Sequence, residues 1–170
     1  VQIIWAGKPY PMDYPAISEF NELILLSKQY KNMAVCTGYE LDLSKRLKQA
    51  ADVWFNNPRV PREASGTSGM SAAMNGAVNF STNDGWICEF INNGNNGFVV
   101  PAADYQSMSV HDQDQYDLDH LYDILDNQIR PMYYNNQDVW REIVKNGMRD
   151  VRWQFDSNRM AKEYYDIMYL

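Results

Sequence analysis

The chain opens on a β-branched and aromatic run, residues 1–6, closed by Gly7 and followed by the turn-rich Lys8-Pro9-Tyr10-Pro11-Met12-Asp13-Tyr14-Pro15, which predicts a strand emptying into a loop. From Ala16 onward Ile17, Phe20, Leu23, Ile24 and Ser27 recur at three and four residues, predicting an amphipathic helix to about residue 30 with Pro15 near its start. Residues 33–37 read as a short buried strand ending at Gly38. A second helix over about 42–51 carries Leu43, Leu47 and Ala50 on one face, and Val53, Trp54 and Phe55 make 52–56 another strand. Strand, helix, strand, helix, strand at this spacing is the pattern of right-handed βαβ units, so the expected fold class is α/β, a Rossmann-like parallel sheet flanked by helices.

Past the third strand lies 57–69, a loop rich in glycine, hydroxyl and charged residues. A short helix over 70–75, stopped by Gly76, a strand near 77–81 and the Asn83-Asp84-Gly85 turn follow. Residues 92–97 form an asparagine and glycine turn before a brief strand at 98–100. The polar stretch 103–117 is expected to be an exposed loop. Leu118, Leu121, Leu125 and Ile129 mark a helix ending before Pro131, and Trp140, Val144, Met148 and Val151 mark a second. A third, over about 158–169, should turn Met160, Tyr164 and Ile167 inward. No internal repeat is visible.

Length and composition narrow the picture. With 170 residues, 45% hydrophobic and 22% charged, residues 1–170 fit one globular domain rather than a disordered or fibrous chain. The net charge of -7 argues against nucleic acid and anionic membrane as partners, since both attract lysine and arginine. No apolar run approaches the ~20 residues that span a bilayer. The chain starts at Val1, with neither an initiator methionine nor a basic leader, which suggests a piece of a longer protein. Cys36 and Cys88 have neither Cys-x-x-Cys spacing nor a histidine pair beside them, so the expectation is reduced, buried thiols, no metal and a cytoplasmic location.

In open α/β sheets ligands bind beyond the carboxyl ends of the strands, where Gly7-Lys8, Gly38-Tyr39-Glu40 and 56–67 would lie. Gly66-Thr67-Ser68-Gly69 before a helix could cradle a phosphate with backbone amides, or be a tight turn with Thr67 or Ser68 as cap. Glu63 suits an acceptor for paired sugar hydroxyls or a solvated partner of Arg62. Lys8 could face a phosphate or simply water. Asp84 reads as turn chemistry, and His111 and His120 as surface histidines. Trp5, Trp54 and Trp86 are core candidates, with Trp86 also placed to stack on a sugar ring.

Glu63-Ala64-Ser65-Gly66-Thr67-Ser68-Gly69-Met70, with Asn75-Gly76 and Asp84-Gly85-Trp86 after it, resembles the signature of the α-glucan (glycogen, starch or maltodextrin) phosphorylases. Ala6-Gly7-Lys8, Asp52-Val53-Trp54-Phe55-Asn56-Asn57-Pro58, Asn96-Gly97 and Phe155-Asp156-Ser157-Asn158-Arg159-Met160 with Glu163-Tyr164 resemble the family in the same order. The likeness covers most of the chain apart from about 103–138. It implies the C-terminal half of a glycosyltransferase-B fold, one wall of a cleft completed by an N-terminal domain of the same protein. It implies α-glucan or a sugar phosphate as ligand and leaves pairing with a second copy open. By the same resemblance Glu63 accepts from the glucosyl ring, the amides of Ser65 and Gly66, beside Ala64, hold that sugar, and those of Thr67 and Ser68 meet the phosphate of pyridoxal phosphate. That cofactor serves the family through its phosphate, as a proton relay.

The chain departs from the family at one decisive place. The lysine that forms the Schiff base follows the Gly-Met pair, and here Ser71 stands there, in Met70-Ser71-Ala72-Ala73. A serine forms no imine. Nor does Ser71, eight residues after Glu63, supply the second glutamate of the Glu-x7-Glu pattern of retaining nucleotide-sugar transferases. Three expectations follow for the whole protein: phosphorylase-type hexosyl transfer without covalent cofactor, transfer from a nucleotide sugar, or glucan binding without turnover. The domain by itself is expected to be inactive.

Overall fold

The computed structural model describes residues 1–169. Two compact units divide within the second helix, residues 1–47 and the chain from Lys48 onward.

In the first unit β1 (Ile3–Ala6) and β2 (Met33–Cys36) pair in parallel, Ile3 opposite Met33 and Ala6 opposite Cys36. They are joined by α1 (Tyr14–Ser27), whose start is fixed by the Asp13 carboxylate accepting the Ala16 N–H at 3.1 Å and by Pro15 in the first turn. β2, expected to be buried, is half-buried, with Ala34 exposed. α2 (Leu41–Ala50) follows, and its buried Ser44 accepts the Tyr39 hydroxyl at 2.7 Å.

In the second unit β3 (Val53–Asn56), β4 (Val78–Thr82) and β5 (Gly97–Val100) form a parallel sheet with β4 in the centre. Val53 stands opposite Val78, Asn79 opposite Gly97 and Thr82 opposite Val100. All five β4 residues are buried. Because strand side chains alternate, Val78, Phe80, Phe98 and Val100 share one face, where they pack with Ile124, Ile129, Trp140 and Ile143. A second apolar cluster joins Ala73, Trp86, Ile87, Phe90 and Val151, with Val99 against it. α3 (Ser68–Met74), the short α4 (Ile87–Phe90) with Trp86 at its N-cap, and α7 (Gln137–Gln154) supply its five buried residues, and α7 serves both clusters.

Several expectations change. The segment 103–117 is not a loop throughout: α5 (Val110–Ile124) starts within it, capped by the Ser109 hydroxyl, which accepts the Asp112 N–H at 3.1 Å. Its inward side chain there is Gln113, so apolar periodicity gave no sign of it. The helix does not stop before Pro131. It passes through a π-helical turn, Leu125–Ile129, into α6 (Arg130–Asn135), with Pro131 in the first turn of α6. Proline removes one helical hydrogen bond and crowds the carbonyl four residues back, and a widened turn there accommodates both effects. α8 (Ser157–Tyr164), capped by Asp156, and the π-turn Tyr165–Tyr169 contain no buried residue. Met160, Tyr164 and Ile167, expected to face inward, are 48%, 51% and 78% exposed. Cys36 is half-buried and Cys88 exposed, so neither is the fully buried thiol expected.

Candidate functional site

The loop between β3 and α3 carries Glu63, and the structure holds that residue from both ends. Its carboxylate Oε2 accepts the side-chain amide of Asn56, the last residue of β3, at 3.2 Å. Its backbone N–H donates to Asp84 Oδ2 at 2.9 Å, and Asp84 Oδ1 accepts the Gly85 N–H, also at 2.9 Å. The Trp86 N–H donates to the Ser65 carbonyl at 3.3 Å, so the Glu63–Ser65 stretch is stitched to the turn after β4. Among the described residues Glu63 forms no ion pair with Arg62; its carboxylate is engaged by Asn56 instead.

Two glycines shape this loop. Gly85 has φ +61° and lies so close that an added Cβ would stand 2.6 Å from both the Ala64 carbonyl oxygen and Glu63 Cγ. Gly66 has φ +67°, and its Cβ would stand 3.2 Å from Glu63 Oε1. Left-handed backbone and missing side chains therefore let two chain segments close around Glu63 while one carboxylate oxygen stays beside the Gly66 backbone.

Thr67 occupies the N-cap of α3 without making a side-chain cap bond, which corrects the capping expectation for it. Ser71 lies one turn into α3, half-buried, and its hydroxyl donates back to the Thr67 and Ser68 carbonyls at 2.9 and 3.1 Å. Ala64, Ser65, Thr67 and Ser68 are exposed. Lys8 belongs to the other unit, where its Nζ lies 3.0 Å from Glu40, both exposed.

Other candidates are accounted for elsewhere. Trp86 is 4% exposed, stacked on Phe90 at 4.7 Å and met edge-on by Phe155 at 5.2 Å, so it is a core residue and offers no face to a sugar. Trp5 and Trp54 are half-buried. His120 Nδ1 lies 2.8 Å from the Tyr116 carbonyl of its own helix, and His111 is exposed on α5. No group of three or more metal-ligating side chains occurs among the described residues. Asn56 and Asp84 are the two side chains that bond to Glu63 without having been singled out for that role by the sequence. Asp84 sat in view as a turn residue, with nothing local to show that it reaches back 21 residues to Glu63.

No known family profile matches the chain. Individual relatives do. A maltodextrin phosphorylase of Thermococcus litoralis is 36% identical over 172 residues, and a glycogen phosphorylase of Aquifex aeolicus 34% over 177, each across 99% of this chain. Over its whole length the chain is similar to glycogen and maltodextrin phosphorylases. An uncharacterised protein of Methanocaldococcus jannaschii is 38% identical over 170 residues. The chain spans 31%, 20% and 25% of the Methanocaldococcus, Thermococcus and Aquifex relatives respectively.

Solved structures give the fold. HepE of Anabaena, in complex with UDP-glucose, superposes with a TM-score of 0.68 at 14% identity, over 99% of this chain and 40% of HepE. The C-terminal domain of a group 1 glycosyl transferase from Francisella tularensis superposes at 0.60 and 15% identity, over 91% of this chain and 69% of that domain. The fold class is therefore the expected one, α/β with parallel strands and flanking helices in each unit, as in these glycosyltransferase structures of the glycosyltransferase-B fold. No helix among the described residues is long and apolar enough to cross a membrane.

Proposed function

We propose that this chain is the glucosyl-binding domain of an α-glucan phosphorylase-type transferase, which moves a hexosyl group between an α-1,4-glucan and phosphate. It would form one wall of a cleft closed by an N-terminal domain of the same protein. The observation that carries this reading is Glu63, fixed by Asn56 and Asp84 inside the stretch that resembles the phosphorylase signature. A carboxylate accepts from paired ring hydroxyls, and fixed acceptors stay in register as the ring flattens toward an oxocarbenium-like transition state. The amides of Ser65 and Gly66, with Ala64 between them and Glu63, would hold the same sugar. The attacking phosphate anion would offset the developing positive charge.

The family's cofactor meets a misfit. Thr67 and Ser68 offer exposed backbone to a phosphate, but Ser71 brings no amine and spends its hydroxyl on the preceding turn. Covalently attached pyridoxal phosphate does not fit this chain. The missing lysine leaves room for a second reading, transfer from a nucleotide sugar with the 66–69 loop receiving the diphosphate, although Ser71 does not supply the second glutamate of the Glu-x7-Glu pattern either.

The deciding assay uses the full-length protein with maltodextrin and phosphate, beside a Ser71→Lys variant given pyridoxal phosphate. Release of glucose 1-phosphate by the unaltered protein is the expected result. Release only by the variant, or by neither, moves the assignment to a nucleotide-sugar transferase or a non-catalytic glucan binder.

A further inference from the structure

The sequence placed 103–117 outside the site, yet the first turns of α5 grip the loop that leads to Glu63. Arg59 donates through Nε to Asp114 Oδ1 and through Nη2 to Asp114 Oδ2, both at 2.7 Å, a two-pronged pair. Next along the loop, the Val60 carbonyl accepts the Gln113 side-chain amide at 2.8 Å, and Val60 and Gln113 are both buried. From the opposite side the Thr82 hydroxyl, at the end of β4, donates to the Pro58 carbonyl at 2.8 Å. The Arg62 N–H closes on the Arg59 carbonyl at 2.8 Å, and the following residue is Glu63.

We propose that α5 is a positioning element for the sugar site: the Arg59–Asp114 fork and the Gln113–Val60 bond set where the Glu63 carboxylate stands. The proposal rests on the glucosyl-binding reading of Glu63. A buried glutamine that spends its amide on one loop carbonyl specifies register, because any other docking of the helix leaves both groups unpaired. The fork is partly exposed, at 33% and 50%, and ion pairs of that kind add little to global stability. Its consequence is therefore local, the angle at which residues 59–62 deliver Glu63.

Asp114→Asn keeps size but cannot offer two acceptor oxygens to the guanidinium, whereas Asp114→Glu can. Asp126→Asn is the control, since it breaks a comparable Arg130–Asp126 pair that does not touch the loop. In the full-length protein the measurements are glucose 1-phosphate affinity and amide exchange at Arg62 and Glu63, with β4 and β5 amides as reference. Asp114→Asn is expected to weaken affinity about tenfold and to speed exchange at Arg62 and Glu63 but not in β4 or β5, with the melting temperature held. Asp114→Glu should recover most of both, and Asp126→Asn should change neither. Unchanged Glu63 exchange in Asp114→Asn, or an equal loss in Asp126→Asn, overturns the proposal. If the unaltered protein binds neither glucose 1-phosphate nor maltodextrin, the glucosyl reading fails, and Glu63 exchange still decides whether α5 positions the loop.

Discussion

The carboxylate of Asp84 accepts the backbone N–H of Glu63 at 2.9 Å, joining the loop after β3 to the turn after β4. Aspartate in an Asn-Asp-Gly turn ordinarily serves its own backbone, and Asp84 does that too, through Gly85. The second oxygen ties this turn to the loop that carries Glu63. Asp84→Ala strips both acceptors and should lower affinity for glucose 1-phosphate by about tenfold, the worth of one hydrogen bond to a charged acceptor. Titration of the variant against the unaltered protein checks this, and equal affinities would detach Asp84 from the site.

Gly85→Ala should be worse than its size suggests. The new Cβ meets the Ala64 carbonyl and Glu63 Cγ at 2.6 Å, at a left-handed φ that alanine resists. Clash and strain together should cost about 2–4 kcal/mol. Chemical denaturation measures it, and a loss below ~0.5 kcal/mol would mean that the two segments are not packed as described.

Asp117 on α5 predicts a pH dependence. Burial, reinforced by the Asp114 charge, holds its carboxyl above the usual range, and its Oδ1 is buried without a hydrogen-bond partner. A carboxyl raised in the folded state favours folding below its ordinary unfolded value, and that contribution is lost as pH rises through the folded value. At pH 7 the ionised Asp117 therefore opposes folding. Asp117→Asn should raise the melting temperature there by about 2 °C, and the gain should shrink as pH falls into the range where Asp117 itself takes up a proton. Melting curves at pH 7 and pH 4 test the sign, and an equal gain at both contradicts it.

Phe98 is fully buried between the sheet and the helices that carry Ile124 and Trp140. Phe98→Ala should cost about 3–5 kcal/mol in denaturant unfolding.

Where side chains repeat with a clear period, the sequence is readable. Ile17, Phe20 and Leu23 announce α1, and the β-branched and aromatic runs announce all five strands, each within about two residues of its observed start. The failures have physical causes. Gln113 is buried by a hydrogen bond rather than by apolarity, so the start of α5 looked like a polar loop. Pro131 looked like a terminator because sequence does not reveal the π-turn that precedes it. Tyr164 and Ile167 have helical spacing, but spacing promises an apolar stripe without saying what covers it. Glu63 stood out through its motif, whereas Asn56 and Asp84 act on it only through the folding of β3 and β4 side by side.

Whether Glu63 holds the sugar is decided by glucose 1-phosphate binding to the full-length protein and to its Glu63→Gln variant, with melting temperature as control. The amide keeps the shape of the carboxylate but surrenders its charge and one acceptor. The unaltered protein is expected to bind, and the variant to lose about 10- to 100-fold in affinity at an unchanged melting temperature. Equal affinity in the two proteins would contradict a sugar-binding Glu63.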